Sequence, residues 1–186
     1  MGADEDCRGD LLAPAALCNV FRMKGLVQRV SGAAVTVDGE VVGAVGPGLI
    51  VFVGVGHEDT EADADLLADR IVGLRIFADE DGRMNRSLLD VGGELLVVSQ
   101  FTLMGDTRRG RRPSFVAAAE PGRAEQLVGR VVTAGEGAGV SVATGRFGAH
   151  MEIDIQADGP VTLMLDTKQP RGSKDNMASA GELPPG

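Results

Sequence analysis

The sequence contains neither tryptophan nor tyrosine, and its aromatic content is only 3%. A core must therefore be assembled from Val, Leu, Ile, Ala and Met, which supply most of the 44% hydrophobic share. Cysteine is nearly absent. Cys7 and Cys18 stand close to the N-terminus, so the rest of the chain has no disulfide, no thiolate nucleophile and no cysteine-based metal site. With His57 and His150 as the only histidines, a His-rich metal centre is excluded as well. No metal and no cofactor is expected, and a reducing cytoplasm is the compartment this pattern fits. Long apolar runs are missing too: none reaches the roughly 18 residues needed to span a bilayer, which predicts a soluble chain and no membrane partner. Positive charge is in deficit. A net charge of −9 excludes a general nucleic-acid binder, with DNA as a partner set aside on that ground, so any RNA must meet a local basic patch.

The length, 186 residues, allows one domain with a sizeable core. Residues 1–22 differ in character from the rest of the chain. Asp4, Glu5 and Asp6 put acid where a secretory signal carries Lys or Arg, so this stretch reads as an N-terminal extension. Patterned sequence runs over 23–167. From Lys168 to Gly186 the chain is rich in Pro, Gly, Ser, Lys and Asp without periodicity, which predicts a disordered C-terminal tail.

Within 23–167 the first pattern is β. Leu26 to Val37 and Glu40 to Val45 flank Asp38-Gly39, a strong hairpin signal. Gly46-Pro47-Gly48 reads as a second turn before the apolar run Leu49 to Val55, which predicts an antiparallel meander. Asp59-Thr60 offers an N-cap, with Glu61 and Asp63 in the first turn, for a helix carrying Leu66, Leu67, Ile71 and Leu74. Arg75 to Ala78 reads as a short strand, Asp79 to Gly82 as an acidic turn and Glu94 to Ser99 as a strand. Pro121 is placed as N1 of a second helix with Leu127, Val128, Val131 and Val132 inward, ended by Gly135, Gly137 and Gly139. Met151 to Ile155 and Val161 to Leu165 read as two closing strands. The expected fold class is α+β, a barrel-like antiparallel meander packed with two helices.

Ser99-Gln100-Phe101-Thr102 stands where the apolar strand Leu95 to Val98 gives way to polar residues. Hydroxyls at a strand end commonly satisfy local backbone groups. The same place is also a rigid platform from which backbone N–H groups can face a developing oxyanion. Thr102 is a nucleophile only if a base activates it, and none is near in sequence. The segment Ser99-Gln100-Phe101-Thr102-Leu103 resembles the signature of the D-aminoacyl-tRNA deacylases, and five further motifs match in family order. They are Val27-Gln28-Arg29-Val30, Gly92-Gly93-Glu94-Leu95, Gly110-Arg111-Arg112-Pro113-Ser114-Phe115, Thr144-Gly145-Arg146-Phe147-Gly148 and Asp158-Gly159-Pro160-Val161-Thr162. The resemblance spans Met23 to about Asp166.

The resemblance implies an enzyme that hydrolyses the ester joining a D-amino acid to the 3′-terminal adenosine of tRNA, with glycyl-tRNA(Ala) as a possible further substrate. It implies a homodimer with sites at the subunit interface. Gly159-Pro160 would be a Gly–cis-Pro motif inserted into the partner's site. X–Pro bonds are the ones in which cis lies only about 0.5–1 kcal/mol above trans, and a cis bond turns successive carbonyls the same way, so that they crowd out an L side chain. A plain Gly-Pro turn is the alternative. Arg29 would hold that element, Ser99, Gln100 and Phe101 would shape the pocket, and Phe147 would line it or simply pack in the core. The Phe101 and Thr102 N–H groups would face the oxyanion. The family chemistry implied is attack by water helped by the adenosine 2′-hydroxyl, with Thr102 as the older nucleophile candidate.

Arg108, Arg109, Arg111 and Arg112 come directly after the signature. They form either a solvated loop or a phosphate clamp for the tRNA acceptor end. Met104, His150 and Ala157 depart from the common family pattern without touching a signature residue. Two other readings are a tRNA-binding or editing-associated module without turnover and a ligand-free structural β-domain. Both leave the intact signature and Gly-Pro unexplained.

Overall fold

β1 (Lys24–Val37) is the spine of the fold. The computed structural model describes residues 23–108 and 110–167, so the expected extension 1–22, the expected tail 168–186 and Arg109 lie outside the described residues. β1 turns through Asp38 (φ 53°) and Gly39 (φ 81°), the pair of positive φ values that a type I′ hairpin requires, into β2 (Glu40–Val45). β3 (Gly48–Gly54) then continues along the same edge of β1 in unchanged register, with Ala33 opposite Val45 and Val30 opposite Gly48. The Gly46-Pro47 segment is therefore a bend in one long strand and not a reversal, and the expected meander is corrected on that point.

The later strands correct the expectation of a purely antiparallel sheet. β6 (Glu94–Ser99) pairs parallel with β3, and β7 (Val142–Thr144) pairs parallel with β6. Parallel pairing needs a crossover connection. Here the first crossover carries α1 (Glu61–Val72), the minor hairpin β4 (Phe77–Ala78) and β5 (Met84–Arg86), and α2 (Leu88–Val91). The second carries α3 (Pro121–Gly137). β2 closes on β7, where a Cβ at Gly43 would lie 2.3 Å from the Thr144 carbonyl oxygen. The result is a nearly closed, mixed, barrel-like sheet, and the α+β class stands.

The caps form as their residues dictate. Thr60 and Asp63 form a reciprocal capping box at α1, and Ser87 and Asp90 form another at α2. A four-residue helix has no periodicity to read, which is why α2 adds a third helix to the two expected. α3 begins at Pro121 as N1, but it runs on through Gly135 and Gly137, and Gly139 (φ 91°) stands just beyond its end. β3 and β6 are apolar on both sides because each feeds two clusters. Val51, Val53, Leu95 and Val97 pack under α1 and α3 with Leu67, Ile71, Leu127 and Val131, while Ile50, Leu96 and Val98 fill the barrel with Val30, Val35 and Val37.

The two closing strands are one, β8 (Glu152–Asp166), paired antiparallel with β1 along nearly its whole length. Gln28 faces Thr162 and Val30 faces Ala157, so Asp158 to Val161 stand opposite Arg29 alone and bulge from the ladder. The Gly159-Pro160 peptide within this exposed bulge is cis.

Candidate active site

β6 ends at Ser99, and the chain turns at once into a 3-10 helix, Phe101–Met104. Three contacts seat that turn. The Gln100 N–H donates to the Val53 carbonyl over 2.7 Å, continuing the sheet by one rung. Gly54 lies underneath, where a Cβ would fall 2.8 Å from Leu103 Cβ and 3.3 Å from Met104 Sδ, so only glycine lets the turn approach this closely. Lys24 Nζ donates to the Leu103 carbonyl over 3.1 Å. Phe101 and Thr102 open the 3-10 helix, the positions whose N–H groups have no acceptor within a helix.

Gln100 Nε2 donates to Thr102 Oγ1 over 2.6 Å. The threonine hydroxyl is thus an acceptor for an amide, and the contact supplies no base to it. Ser99, Gln100 and Phe101 line one side of a cleft that encloses about 530 Å³. Ala118, Ala119, Ala124 and Val128, from the start of α3 and the segment before it, form a second side. Phe147, Gly148, Ala149 and His150 form a third. Most of this wall is small and apolar, which suits a flat ring or a hydrocarbon side chain, with polar side chains supplied by Ser99 and Gln100 of the signature and by His150. Thr102, exposed, is absent from that lining.

The remaining predicted residues fall elsewhere. Arg29 Nε lies 2.8 Å from Asp158 Oδ2, and Nη1 donates to the Ile76 carbonyl, so this arginine ties the Asp158 to Val161 bulge to the chain beyond α1. In a single chain the bulge is far from the cleft. Arg29 pairs with Leu49, which pairs with Leu95, four rungs from Ser99. That is roughly 13 Å along the strands, with three strand spacings across besides. Arg108 is taken up by Asp106 through Nε–Oδ1 (2.9 Å) and Nη2–Oδ2 (2.7 Å), hydrogen bonds that raise the guanidinium further above its usual pKa. Arg111 and Arg112 are exposed.

Residues 26–166 match the profile of the family described as D-Tyr-tRNA(Tyr) deacylase. The chain belongs to the D-aminoacyl-tRNA deacylase family. A relative from Roseiflexus sp. (strain RS-1), named D-aminoacyl-tRNA deacylase, is 60% identical over 154 residues, covering 80% of this chain and 98% of that one. Among solved structures, one described as the c-Myc DNA unwinding element binding protein has a TM-score of 0.72 at 38% identity, over 76% of this chain and 97% of its own. Another, of a probable eukaryotic D-amino acid tRNA deacylase, has a TM-score of 0.68 at 18% identity, over 78% and 99%, and shows the shared fold. The six motifs that suggested this deacylase family thus reflect membership in it, and the chain is an enzyme of the hydrolase class. Among the described residues no helix is long and apolar enough to cross a membrane.

Sequence reasoning missed Lys24, Gly54 and the alanines before and within α3. Lys24 and Gly54 lie opposite each other in the β1–β3 pair and reach the signature turn only through long-range folding. Small apolar residues carry no local sign of lining a site.

Proposed function

We propose that this chain hydrolyses the ester of D-aminoacyl-tRNA to give the free D-amino acid and tRNA. The observation that carries the reading is the cleft lined by Ser99, Gln100 and Phe101, at the start of the 3-10 turn whose first N–H groups, those of Phe101 and Thr102, have no acceptor within the helix. A water oxygen adds to the ester carbonyl carbon, and the charge collecting on the carbonyl oxygen is met by those two N–H groups. The bond to the ribose oxygen then breaks, that oxygen takes one of the two protons of the water, and the amino acid leaves as its carboxylate, its other proton passing to solvent. The adenosine 2′-hydroxyl is the nearest source of help for the water in this reading. Thr102, whose oxygen already accepts from Gln100, serves as a positioned contact and not as the attacking atom.

In this reading Gly159-Pro160 rejects L-amino acids in a homodimer. The exposed bulge stands too far from the cleft of its own chain to act there, and Arg29 braces it in a form that a second subunit can receive. Exclusion of a side chain also admits glycine, which has none, so glycine esterified to tRNA, glycyl-tRNA(Ala) included, is a substrate on the same argument. Arg111 and Arg112 take phosphates of the acceptor end, and the compartment is the cytoplasm, where tRNA is charged.

The test is release of amino acid from D-Tyr-tRNA, L-Tyr-tRNA and Gly-tRNA(Ala). Rapid release from the first and third, with the second left intact, is expected. Equal rates on the D- and L-esters would sink the reading of Gly159-Pro160, and no release from any would sink the deacylase reading.

A further inference from the structure

Phe101 and Phe115 meet edge to face, with ring centroids 5.1 Å apart and planes at 68°. Such pairing is ordinary in a core, yet this pair is on the surface, with Phe101 58% and Phe115 36% exposed. Neither ring belongs to either apolar cluster. In a chain this poor in aromatics, two rings braced against each other outside the core call for another explanation.

The bracing is specific. A Cβ at Gly105 would lie 3.0 Å from Phe115 Cε1, so glycine makes the room for that ring. Asp106 and Ser114 exchange backbone hydrogen bonds of 2.8 and 2.9 Å, closing the loop that separates the two rings in sequence. Arg111 and Arg112, both exposed, stand within that closed loop, and Phe115 comes directly after its base. Phe101 also lines the cleft. The aromatic pair thus joins the rim of the cleft to the base of the loop that carries Arg111 and Arg112. Open aromatic faces beside cations are the chemistry of single-stranded nucleic acid, because every base has a π-face and every linkage a phosphate. On a chain of net charge −9, two exposed guanidinium groups in one loop give a polyanion a local positive charge to meet.

We propose that the Phe101–Phe115 pair is a stacking surface for the unpaired nucleotide preceding the terminal adenosine of the substrate, with Arg111 and Arg112 on the neighbouring phosphates. This rests on the deacylase reading, and it adds a subsite outside the cleft. The terminal nucleotide enters the cleft past Phe101, and the base before it stays outside on the second ring.

The experiment compares D-tyrosine esterified to full tRNA, to the trinucleotide CCA and to adenosine alone, using the wild type, Phe115→Leu and Phe115→Trp. Phe115→Leu is expected to lower kcat/KM on tRNA and on the trinucleotide about five- to a hundredfold, chiefly through KM. Hydrolysis of the adenosine ester is expected to be unchanged, and Phe115→Trp is expected to retain activity on all three. An equal loss on the adenosine ester would make Phe115 part of the cleft and overturn the proposal. Loss of the oligomeric state in sedimentation, together with activity, would make the surface an interface between copies and overturn it too. Hydrolysis of none of the three by the wild type would remove the deacylase reading itself, and this proposal with it.

Discussion

Lys24 is the residue whose part in the proposed mechanism is least visible in the chain. Its ammonium holds the Leu103 carbonyl, at the C-terminal side of the turn that presents the Phe101 and Thr102 N–H groups. A charge-assisted hydrogen bond of this kind is worth enough to set the angle of a short turn. Lys24→Met is expected to lower kcat about ten- to a hundredfold with KM nearly unchanged, because the donors shift relative to the oxyanion and not relative to the bound RNA. Lys24→Arg should restore most of the rate. A matching rise in KM, or no rescue by arginine, would make Lys24 a structural residue only. Thr102 is the converse case. Loss of an attacking hydroxyl removes catalysis by about four orders of magnitude or more, whereas Thr102→Val is expected to keep the rate within roughly tenfold of the wild type. A collapse to background in single-turnover kinetics would return Thr102 to the role of nucleophile. Thr102 was legible in the sequence as part of a motif, but its hydrogen bond from Gln100 was not, since a side-chain pair is set by the backbone turn beneath it.

At the scale of elements, local chemistry predicted most starts and few pairings. The capping box of α1, the Pro121 start of α3 and the Asp38-Gly39 hairpin are governed by residues within one turn of one another. The parallel β3–β6 and β6–β7 pairs depend on crossovers whose path no window of sequence contains. The α1–α3 contact is of the same kind, and an ion pair marks it. Arg130 clasps Asp65 through Nε–Oδ1 (2.6 Å) and Nη2–Oδ2 (2.8 Å), and these hydrogen bonds hold the Asp65 carboxyl below the usual carboxylate range. Because the folded-state pKa is the lower one, the pair's contribution is complete above the unfolded pKa. It is lost as pH falls through the folded value. Asp65→Asn should therefore be less stable than the wild type at neutral pH and converge with it in acid. Urea midpoints across that range measure this, and a constant difference at every pH would refute it. At the same helix, Thr60→Ala is expected to cost about 0.5–2 kcal/mol in the same assay by removing the cap.

At the scale of the whole molecule, the separation of the Asp158 to Val161 bulge from its own cleft makes a prediction that no single residue makes. Consider one chain altered in the bulge, Pro160→Ala, and another altered in the signature, Phe101→Ala. If each subunit's bulge serves its partner's cleft, a hybrid dimer contains one site with an intact cleft and an intact bulge. Co-refolded hybrids are expected to regain D-over-L discrimination on D- and L-Tyr-tRNA, at about half the wild-type activity on the counting of intact sites. Failure of complementation in hybrids verified by mass would place bulge and cleft in the same subunit or leave the bulge without a part in selection.

The sequence by itself determined the class of fold, the starts of α1 and α3, the Asp38-Gly39 hairpin, the apolar strands and the six motifs in family order. These are set by neighbours in the chain, by the period of side-chain burial and by residue types that carry their own conformational limits. Only the tertiary structure decided that Gly46-Pro47 bends one strand instead of reversing it, that two closing strands are a single β8, and that the sheet is mixed. It alone seated the signature turn on Gly54 and tethered it to Lys24, brought Phe147 to the cleft that Ser99 lines, and set the Gly159-Pro160 bulge against Arg29. Each of these is a contact between residues far apart in the chain, and such contacts exist only once the strands have found their register.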